Sequence, residues 1–182
     1  NKVISLDRNQ HSMNISLEAF MQRRAPQSFV NKGKRIIQQN AGLLNSIEQR
    51  YGVQKEILVA IWGMETGFGA NSGNMPVFSS LATLSYDCRR SAFFTEELLA
   101  ALAIVDRGDM SPDQMRGAWA GEIGQTQFLA KNYLRFAVDG DGNGRRDLIR
   151  SKADVLASTA NFLRQHGWRP GAGYQQGQPN FA

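Results

Sequence analysis

The stretch Ile61-Trp62-Gly63-Met64-Glu65-Thr66-Gly67-Phe68-Gly69 (IWGMETGFG) places one carboxylate near the end of an apolar segment, just before a glycine pair. Apolar residues recur with helical spacing from 54 to 66, so we predict a helix over these residues. Leu58 and Glu65 are seven residues apart and therefore share one face of that helix. We expect Glu65 to leave the helix on its apolar side, pointing inward and partly buried.

The surroundings predicted for Glu65 suit acid–base chemistry. Partial burial disfavours a charged carboxylate, and the partial negative charge at a helix C-terminus does the same. Gly67 can adopt the left-handed conformation that ends a helix, and Gly69 leaves room for a ligand. A protonated Glu65 would then act as a general acid near neutral pH. The alternative is an amphipathic helix whose last turn carries a half-exposed glutamate without a chemical role, and this stretch alone leaves both interpretations open.

The composition is that of a soluble globular protein, with 42% hydrophobic and 20% charged residues among 182. This length fits a single domain with a sizeable core. The net charge of +5 favours a polyanionic partner, but no Lys/Arg-rich run with interleaved aromatic residues is present, so we expect no nucleic acid binding. The longest apolar run, 98–105, is too short to span a bilayer, and the single cysteine, Cys88, excludes an internal disulfide.

Helical periodicity extends along nearly the whole chain and predicts a mainly α fold. We predict helices over 16–24, 28–50, 54–66, 77–85, 91–107, 121–137 and 151–166, with another beginning at Ser111-Pro112. Ser151-Lys152-Ala153-Asp154 resembles a capping box for the last helix. Alternation with period two is never sustained, so we expect only small loop or hairpin insertions between the helices.

A second informative segment is GAWAGEIGQTQF, residues 117–128. Its small residues would allow another backbone or a flat ligand to come close. Gln127 could hydrogen-bond a sugar amide or hydroxyl group.

Together with residues 61–69, this segment resembles the B-type (family 3) lytic murein transglycosylases, which cleave peptidoglycan and have a lysozyme-like fold. The matching motifs occur in the family's order, as Glu65-Thr66-Gly67-Phe68-Gly69, Leu81-Ala82-Thr83-Leu84, Arg89-Arg90, residues 117–128, Ala160-Asn161-Phe162-Leu163 and His166-Gly167-Trp168. The resemblance covers about residues 30–170 and implies one lysozyme-like helical domain over 1–182 with a glycan-binding groove. Residues 1–28 would be an N-terminal helical extension and 168–182 a tail, and the C-terminal part of the family fold would lie outside this chain.

The resemblance also implies a function and a set of site residues. Glu65 would be the single acid/base that cleaves the β-1,4 bond between N-acetylmuramic acid and N-acetylglucosamine without water, leaving 1,6-anhydromuramoyl ends. Residues that would line the glycan groove are Arg89, Arg90, Phe93, Gly124, Gln127 and Phe128. The partner would be the glycan strands of peptidoglycan, in the periplasm of the bacterial cell envelope. We expect a monomer that needs no cofactor for catalysis, and the family leaves room for a lipid anchor outside this chain.

Two departures from the family pattern keep alternatives open. Ala118 stands where the family commonly has a groove serine, and Glu122 replaces a usually small residue. A lysozyme-type hydrolase needs two carboxylates about 5–9 Å apart, and Asp87 or Glu122 would supply the second. A peptidoglycan-binding module without turnover is the other alternative.

Residues 139–147 (DGDGNGRRD) resemble the first part of an EF-hand calcium loop. Oxygen ligands would come from Asp139, Asp141, Asn143 and Asp147, and from the backbone carbonyl of Arg145. The twelfth loop position, where a bidentate acid is required, is occupied by Arg150. A structural calcium ion and a plain Asp/Gly turn between two helices both remain open.

Overall fold

The computed structural model describes residues 2–10 and 15–181. The fold is mainly helical, as predicted, with α1 (Lys2–Arg8), α2 (Leu17–Arg24), α3 (Gln27–Gln39), α4 (Ala41–Tyr51), α5 (Lys55–Thr66), α6 (Val77–Tyr86), α7 (Ser91–Asp106), α8 (Ala130–Phe136) and α9 (Lys152–Gln165). Two short strands, β1 (Met75–Pro76) and β2 (Arg116–Gly117), form an antiparallel pair. Among the described residues, no helix has both the length and the apolar character needed to cross a membrane.

The hydrophobic core lies around α9, which is buried along its length from Asp154 to Ala160. Helix α9 packs against α4, α5 and α8, while α7 packs against α6 and α8. Leu58 of α5 and Leu81 of α6 are fully buried in this core. Helix α5 packs against α3, α4 and α9, and these contacts fix the position of its C-terminal end.

Helix α5 ends where the sequence predicts. Gly67 adopts a left-handed conformation with φ of 63°, and its N–H donates to the Gly63 carbonyl oxygen at 2.8 Å. Phe68 (φ 64°) and Gly69 (φ 83°) are also left-handed, so the chain turns away sharply. This conformation is strained for a side chain as large as Phe68, which packs at 4.9 Å between ring centroids on Phe29.

The prediction of a single helix over 28–50 is wrong, because the chain breaks at Asn40 into α3 and α4. Asn40 has a φ of −120°, and its side-chain amide donates to the Ile36 carbonyl oxygen at 2.8 Å. An asparagine that bonds the preceding turn competes with the backbone ladder and interrupts the helix.

The prediction of a helix over 121–137 is also wrong for its first half. Only α8 is helical, and residues 121–128 form tight turns with isolated bridges from Ile123 to Gly117 and to Phe128. Gly121 and Gly124 have φ values of 85° and 78°, which a right-handed helix excludes. Ser111-Pro112 likewise starts a turn and not a helix.

Candidate active site

Glu65 lies in the last turn of α5, and its side chain is exposed. The prediction that it points inward is wrong, because the core in the last turn of the helix buries Trp62 and Thr66 and leaves Glu65 at the edge of the buried face. Glu65 instead borders two cavities, of about 330 Å³ and about 260 Å³. A carboxylate between two cavities can meet a ligand that extends past the helix end in either direction.

The larger of these cavities, the basic cavity, is lined by Arg23, Arg24, Phe29, Gly63, Met64, Glu65, Thr66, Gly67 and Asn71. Its two guanidinium groups come from α2, and Arg24 Nη2 donates to the Met64 carbonyl oxygen at 3.0 Å. Two cations beside the helix end can bind an anionic group of a ligand. The sequence gives no signal for this contact, since Arg24 and Met64 are 40 residues apart along the chain.

The smaller cavity, the groove cavity, is lined by Ile61, Glu65, Thr126, Gln127, Phe128, Leu129, Asn132, Thr159, Phe162 and Leu163. It brings two predicted groove residues, Gln127 and Phe128, together with Glu65. Gln127 is left-handed (φ 55°), and its Nε2 donates to the carbonyl oxygens of Ser72 at 3.2 Å and Gly124 at 2.8 Å. These bonds occupy the amide donors and fix the Gln127 side chain in place.

Gly124, a third predicted groove residue, contributes through its backbone. Its φ is 78°, and a Cβ atom built there would lie 2.3 Å from the Leu148 carbonyl oxygen. Only glycine therefore allows residues 117–128 to pass so close to the segment at 148.

The other predicted groove residues are Arg89 and Arg90, just before α7, and Phe93 in its first turn. Neither of the described cavities beside Glu65 is lined by any of these three residues. Arg89 Nη2 lies 2.7 Å from Asp7 Oδ2, and Arg90 pairs with the other Asp7 carboxylate oxygen. Burial raises the pKa of Asp7, but hydrogen bonds from Arg90 and Arg89 outweigh burial and hold that pKa below its ordinary value. Both arginines stay half-exposed, and Phe93 is exposed beside Phe94. Their role in glycan binding stays a prediction.

Glu122 interacts electrostatically with Glu65, whereas Asp87 lies elsewhere. Burial raises the pKa of Glu122 and the charge of Glu65 adds to this, while backbone N–H groups and Arg90 act in the opposite direction. The Ala120 N–H donates to Glu122 Oε2 at 3.2 Å. Asp87 pairs with Arg8 at 2.9 Å and lines a different cavity. Of the two alternative second carboxylates, Glu122 is the one whose pKa the charge of Glu65 helps to raise.

The loop that begins at Asp139 and the first turn of α9 together form an acidic cluster of Asp139, Asp141 and Asp154, in which one carboxylate oxygen from each residue lies within 4.8 Å of the others. Asp154 is fully buried, and its two oxygens accept the N–H groups of Gly140 at 2.7 Å and Asp147 at 2.6 Å. Burial raises the pKa of Asp154, and the charge of Asp141 adds to this. Carboxylate oxygens are the donors that Ca²⁺ prefers, so the cluster fits a hard divalent cation.

The sequence does not identify Asp154 as a ligand, because it fits the capping box predicted for residues 151–154. Ser151 does cap α9, since its Oγ accepts the Asp154 N–H at 3.2 Å, but the Asp154 carboxylate faces the loop. The predicted ligand Asp147 lies outside the cluster. Its oxygens accept the N–H groups of Ile149 and Arg150 and the Arg150 Nε–H. Asn143 Oδ1 accepts the Arg145 N–H at 2.9 Å.

Sequence comparison assigns residues 1–178 to the family described as transglycosylase SLT domain. A curated relative is "Membrane-bound lytic murein transglycosylase B" of Escherichia coli strain K12, which is 37% identical over 129 residues. That alignment covers 70% of this chain but only 36% of the relative. The chain therefore spans about a third of the length of this relative.

Solved structures show the same fold. SltB3 of Pseudomonas aeruginosa, in complex with NAG-anhNAM-pentapeptide, superimposes with a TM-score of 0.89 at 41% identity, covering 93% of this chain and 45% of SltB3. The Escherichia coli lytic transglycosylase Slt35, in complex with calcium, superimposes with a TM-score of 0.86 at 32% identity, covering 94% of this chain and 55% of Slt35. The predicted lysozyme-like helical fold is thereby confirmed.

Proposed function

The chain belongs to the transglycosylase SLT domain family, and from this membership we propose that it cleaves peptidoglycan as a lytic transglycosylase with Glu65 as its single acid/base. The bond cleaved is the β-1,4 linkage between N-acetylmuramic acid and N-acetylglucosamine, and the product is a 1,6-anhydromuramoyl end. The observation that carries this proposal is the position of Glu65, exposed at the end of α5 between the basic cavity and the groove cavity.

The reaction needs one carboxyl group, which acts twice. Glu65 first donates its proton to the glycosidic oxygen, so that the bond to C1 of the muramoyl residue breaks and the leaving sugar departs with a hydroxyl group. The Glu65 carboxylate then accepts the proton of the muramoyl C6 hydroxyl while that oxygen bonds to C1. Acid–base exchange of this kind contributes about 10²–10⁴-fold to the rate, and positioning of the sugar contributes the rest.

The two cavities offer complementary binding surfaces for the strand. In the groove cavity, the half-buried Phe162 presents apolar ring surface beside Gln127 and packs on the buried ring of Phe128. In the basic cavity, Arg23 and Arg24 can pair with carboxylates of a muramoyl residue or its peptide. Arg89, Arg90 and Phe93 would extend the groove along the start of α7. The net charge of +5 favours a polymer rich in carboxylates.

A direct test compares turnover with binding. Purified peptidoglycan is incubated with the chain, soluble fragments are quantified over time, and bound protein is measured by co-sedimentation. We expect fragment release that grows with enzyme concentration. Co-sedimentation without release would instead identify a binding module without turnover.

Glu122 favours a second candidate function, that of a lysozyme-type hydrolase in which one carboxyl group is the acid and a second is the nucleophile or base. The support for this candidate is that the charge of Glu65 contributes to the raised pKa of Glu122. Glutamine at position 122 can still accept the Ala120 N–H, so Glu122→Gln tests the carboxylate alone. A transglycosylase that relies on Glu65 retains most of its turnover in this variant, whereas a two-carboxylate hydrolase loses it.

The same variant is expected to change the pH dependence of stability. The pKa of Glu122 in the folded protein is raised above its ordinary value of 4.5, so its contribution to stability is complete below pH 4.5 and is lost as pH rises through the folded-state pKa. Glu122→Gln removes this loss. The free energy of unfolding of Glu122→Gln, measured in urea, should therefore increase relative to that of the parent as pH rises from 4.5 towards 7. A constant difference across this range would contradict the raised pKa.

We assign a structural calcium site to the acidic cluster, with Asp139, Asp141 and Asp154 as the carboxylate ligands. Asp154 would supply the carboxylate that Arg150 cannot. The ion would neutralise a buried carboxylate and hold the loop before α9, with no part in the cleavage step. The calcium complex of Slt35, a structural relative, supports this assignment.

Calcium is expected to raise the melting temperature of the chain, and Asp154→Asn should abolish most of the increase. A ligand at 100 times its Kd stabilises the folded state by about 2.7 kcal/mol. The measurement is thermal unfolding in calcium and in EDTA, supported by titration calorimetry. Asp106→Asn, at an exposed acid on α7, is the matched control and should keep the increase. Equal melting temperatures in calcium and EDTA would refute the site.

We propose that the chain acts in the periplasm of a bacterial cell envelope, a location supported by its similarity to lytic murein transglycosylases, and that it acts as a monomer. A lipid anchor stays a prediction.

A further inference from the structure

Gln125 is a buried glutamine next to the active site whose polar groups are all hydrogen-bonded. Only 9% of its surface is exposed. Its Oε1 accepts the Trp62 Nε1–H at 2.8 Å and its Nε2 donates to the Ile149 carbonyl oxygen at 2.7 Å. Its backbone N–H donates to the Leu148 carbonyl oxygen at 2.9 Å, and its carbonyl oxygen accepts the Thr66 hydroxyl at 2.6 Å.

Two of these bonds hold the last turn of α5, which carries Glu65. Trp62 lies three residues before Glu65 and Thr66 directly follows it, and both side chains are buried. The Thr66 hydroxyl also accepts the Gly69 N–H at 2.9 Å, so the same contact secures the left-handed turn after the helix. Glu65 is thus exposed, but the backbone on both sides of it is fixed through Gln125.

The other two bonds anchor Gln125 to the segment at 148–149, and Asp147 and Asp154 hold that segment in place. Asp147 Oδ1 accepts the Ile149 N–H at 3.0 Å, and Asp154 Oδ2 accepts the Asp147 N–H at 2.6 Å. Gln125 alone therefore connects the end of α5 to the segment that precedes α9.

The chemistry of this position suits an amide. The Trp62 indole N–H is only a donor and the Ile149 carbonyl is only an acceptor, so the side chain must offer an acceptor on one side and a donor on the other. Gln127 and Phe128, which line the groove cavity, follow Gln125 by two and three residues. Holding Gln125 therefore also sets the distance between Glu65 and the groove residues.

We propose that Gln125 is a positioning residue that sets Glu65 against the groove residues Gln127 and Phe128, an inference that rests on the function proposed above. It touches no substrate and acts through the backbone of α5. A displacement of about 1 Å in a catalytic group costs roughly 10²-fold in rate. Loss of the two side-chain hydrogen bonds of Gln125 should therefore lower kcat and leave KM nearly unchanged, since the residues that line the groove cavity remain.

The test uses Gln125→Met, which keeps the length of the side chain but removes both hydrogen bonds of the side-chain amide, to Trp62 and to Ile149. At a temperature well below unfolding, we expect kcat on soluble glycan strands to fall by about 10–100-fold, with KM within about twofold of the parent. Trp62→Phe should also lower kcat, and combining the two substitutions should add little to Gln125→Met alone, because both variants lose the same hydrogen bond between Trp62 and Gln125.

Trp168→Phe is the matched control, because the Trp168 indole N–H also donates to a backbone carbonyl, that of Gly52 at 3.1 Å. This variant should keep kcat and KM. A Gln125→Met protein that melts earlier but keeps its kcat would overturn the proposal, as would a rise in KM at constant kcat.

A second measurement separates this proposal from the proposed function. If the parent chain releases no fragments, the function fails, and the positioning of Glu65 is then measured by NMR. Changed amide resonances of Glu65 and Thr66 in Gln125→Met, and unchanged ones in Trp168→Phe, would support Gln125 as the positioning residue. Unchanged resonances in both variants would overturn it.

Discussion

Glu65→Gln is expected to lower the turnover of peptidoglycan by about 10²–10⁴-fold while binding to the polymer is retained. Glutamine has the size of glutamate but can neither donate a proton to the glycosidic oxygen nor accept one from the C6 hydroxyl. Because Glu65 is exposed at the helix end, the substitution leaves the packing of α5 unchanged. The measurement is the initial rate of fragment release, together with co-sedimentation to measure binding.

The matched control is Glu56→Gln, in the first turn of the same helix. Glu56 is exposed, so this variant makes the same chemical change at the opposite end of α5 and should keep the parent rate. Turnover by Glu65→Gln within about tenfold of the parent would contradict the assignment of Glu65 as the acid/base. Loss of binding together with loss of turnover would point to a damaged groove and not to missing acid–base chemistry.

Gly124→Ala is expected to destabilise the chain by about 2–5 kcal/mol. A left-handed φ costs a residue with a Cβ roughly 1–2 kcal/mol, and overpacking against neighbours costs about 1–3 kcal/mol more. The neighbour here is the Leu148 carbonyl oxygen, 2.3 Å from the new Cβ, which cannot move without shifting the backbone. Thermal unfolding should show a decrease in the melting temperature of roughly 10 °C.

Gly108→Ala separates the two contributions to this loss. Gly108 has a φ of 81°, and no atom lies within 4 Å of a Cβ built there. This control carries backbone strain without a clash, so it should cost only about 1–2 kcal/mol. If both variants lost the same stability, the close approach of the segment 117–128 to Leu148 would be refuted.

Local signals in the sequence were sufficient to predict α5 and its end. Apolar spacing defined the helix over 54–66, and Gly67 marked its left-handed cap, which the structure confirms. The exposure of Glu65 was not predictable from helical spacing, because spacing shows which residues share a face but not how far around the helix the buried face extends. The core buries Trp62 and Thr66 in the last turn and leaves Glu65 at its edge. Leu58 and Glu65 share a face, yet only Leu58 is buried.

Contacts between distant segments account for what the sequence did not reveal. Residues 121–128 have small and apolar residues at helical spacing, but Gly121 and Gly124 adopt conformations that only the tertiary contacts explain. Asp154 matched a cap motif and was not recognised as part of the acidic cluster. Gln125 stands in the sequence two residues before the expected Gln127, and its bonds to Trp62 and Ile149 become apparent only in the folded chain.

The measurement that tests the central claim most directly is digestion of purified peptidoglycan by this chain in water enriched in heavy oxygen, followed by mass spectrometry of the released fragments. Ring closure by the C6 hydroxyl brings no solvent oxygen into the product. We predict 1,6-anhydromuramoyl ends without the heavy isotope. Reducing ends that carry one heavy oxygen atom would contradict the account, because they would show that water and not the substrate's own hydroxyl completes the cleavage.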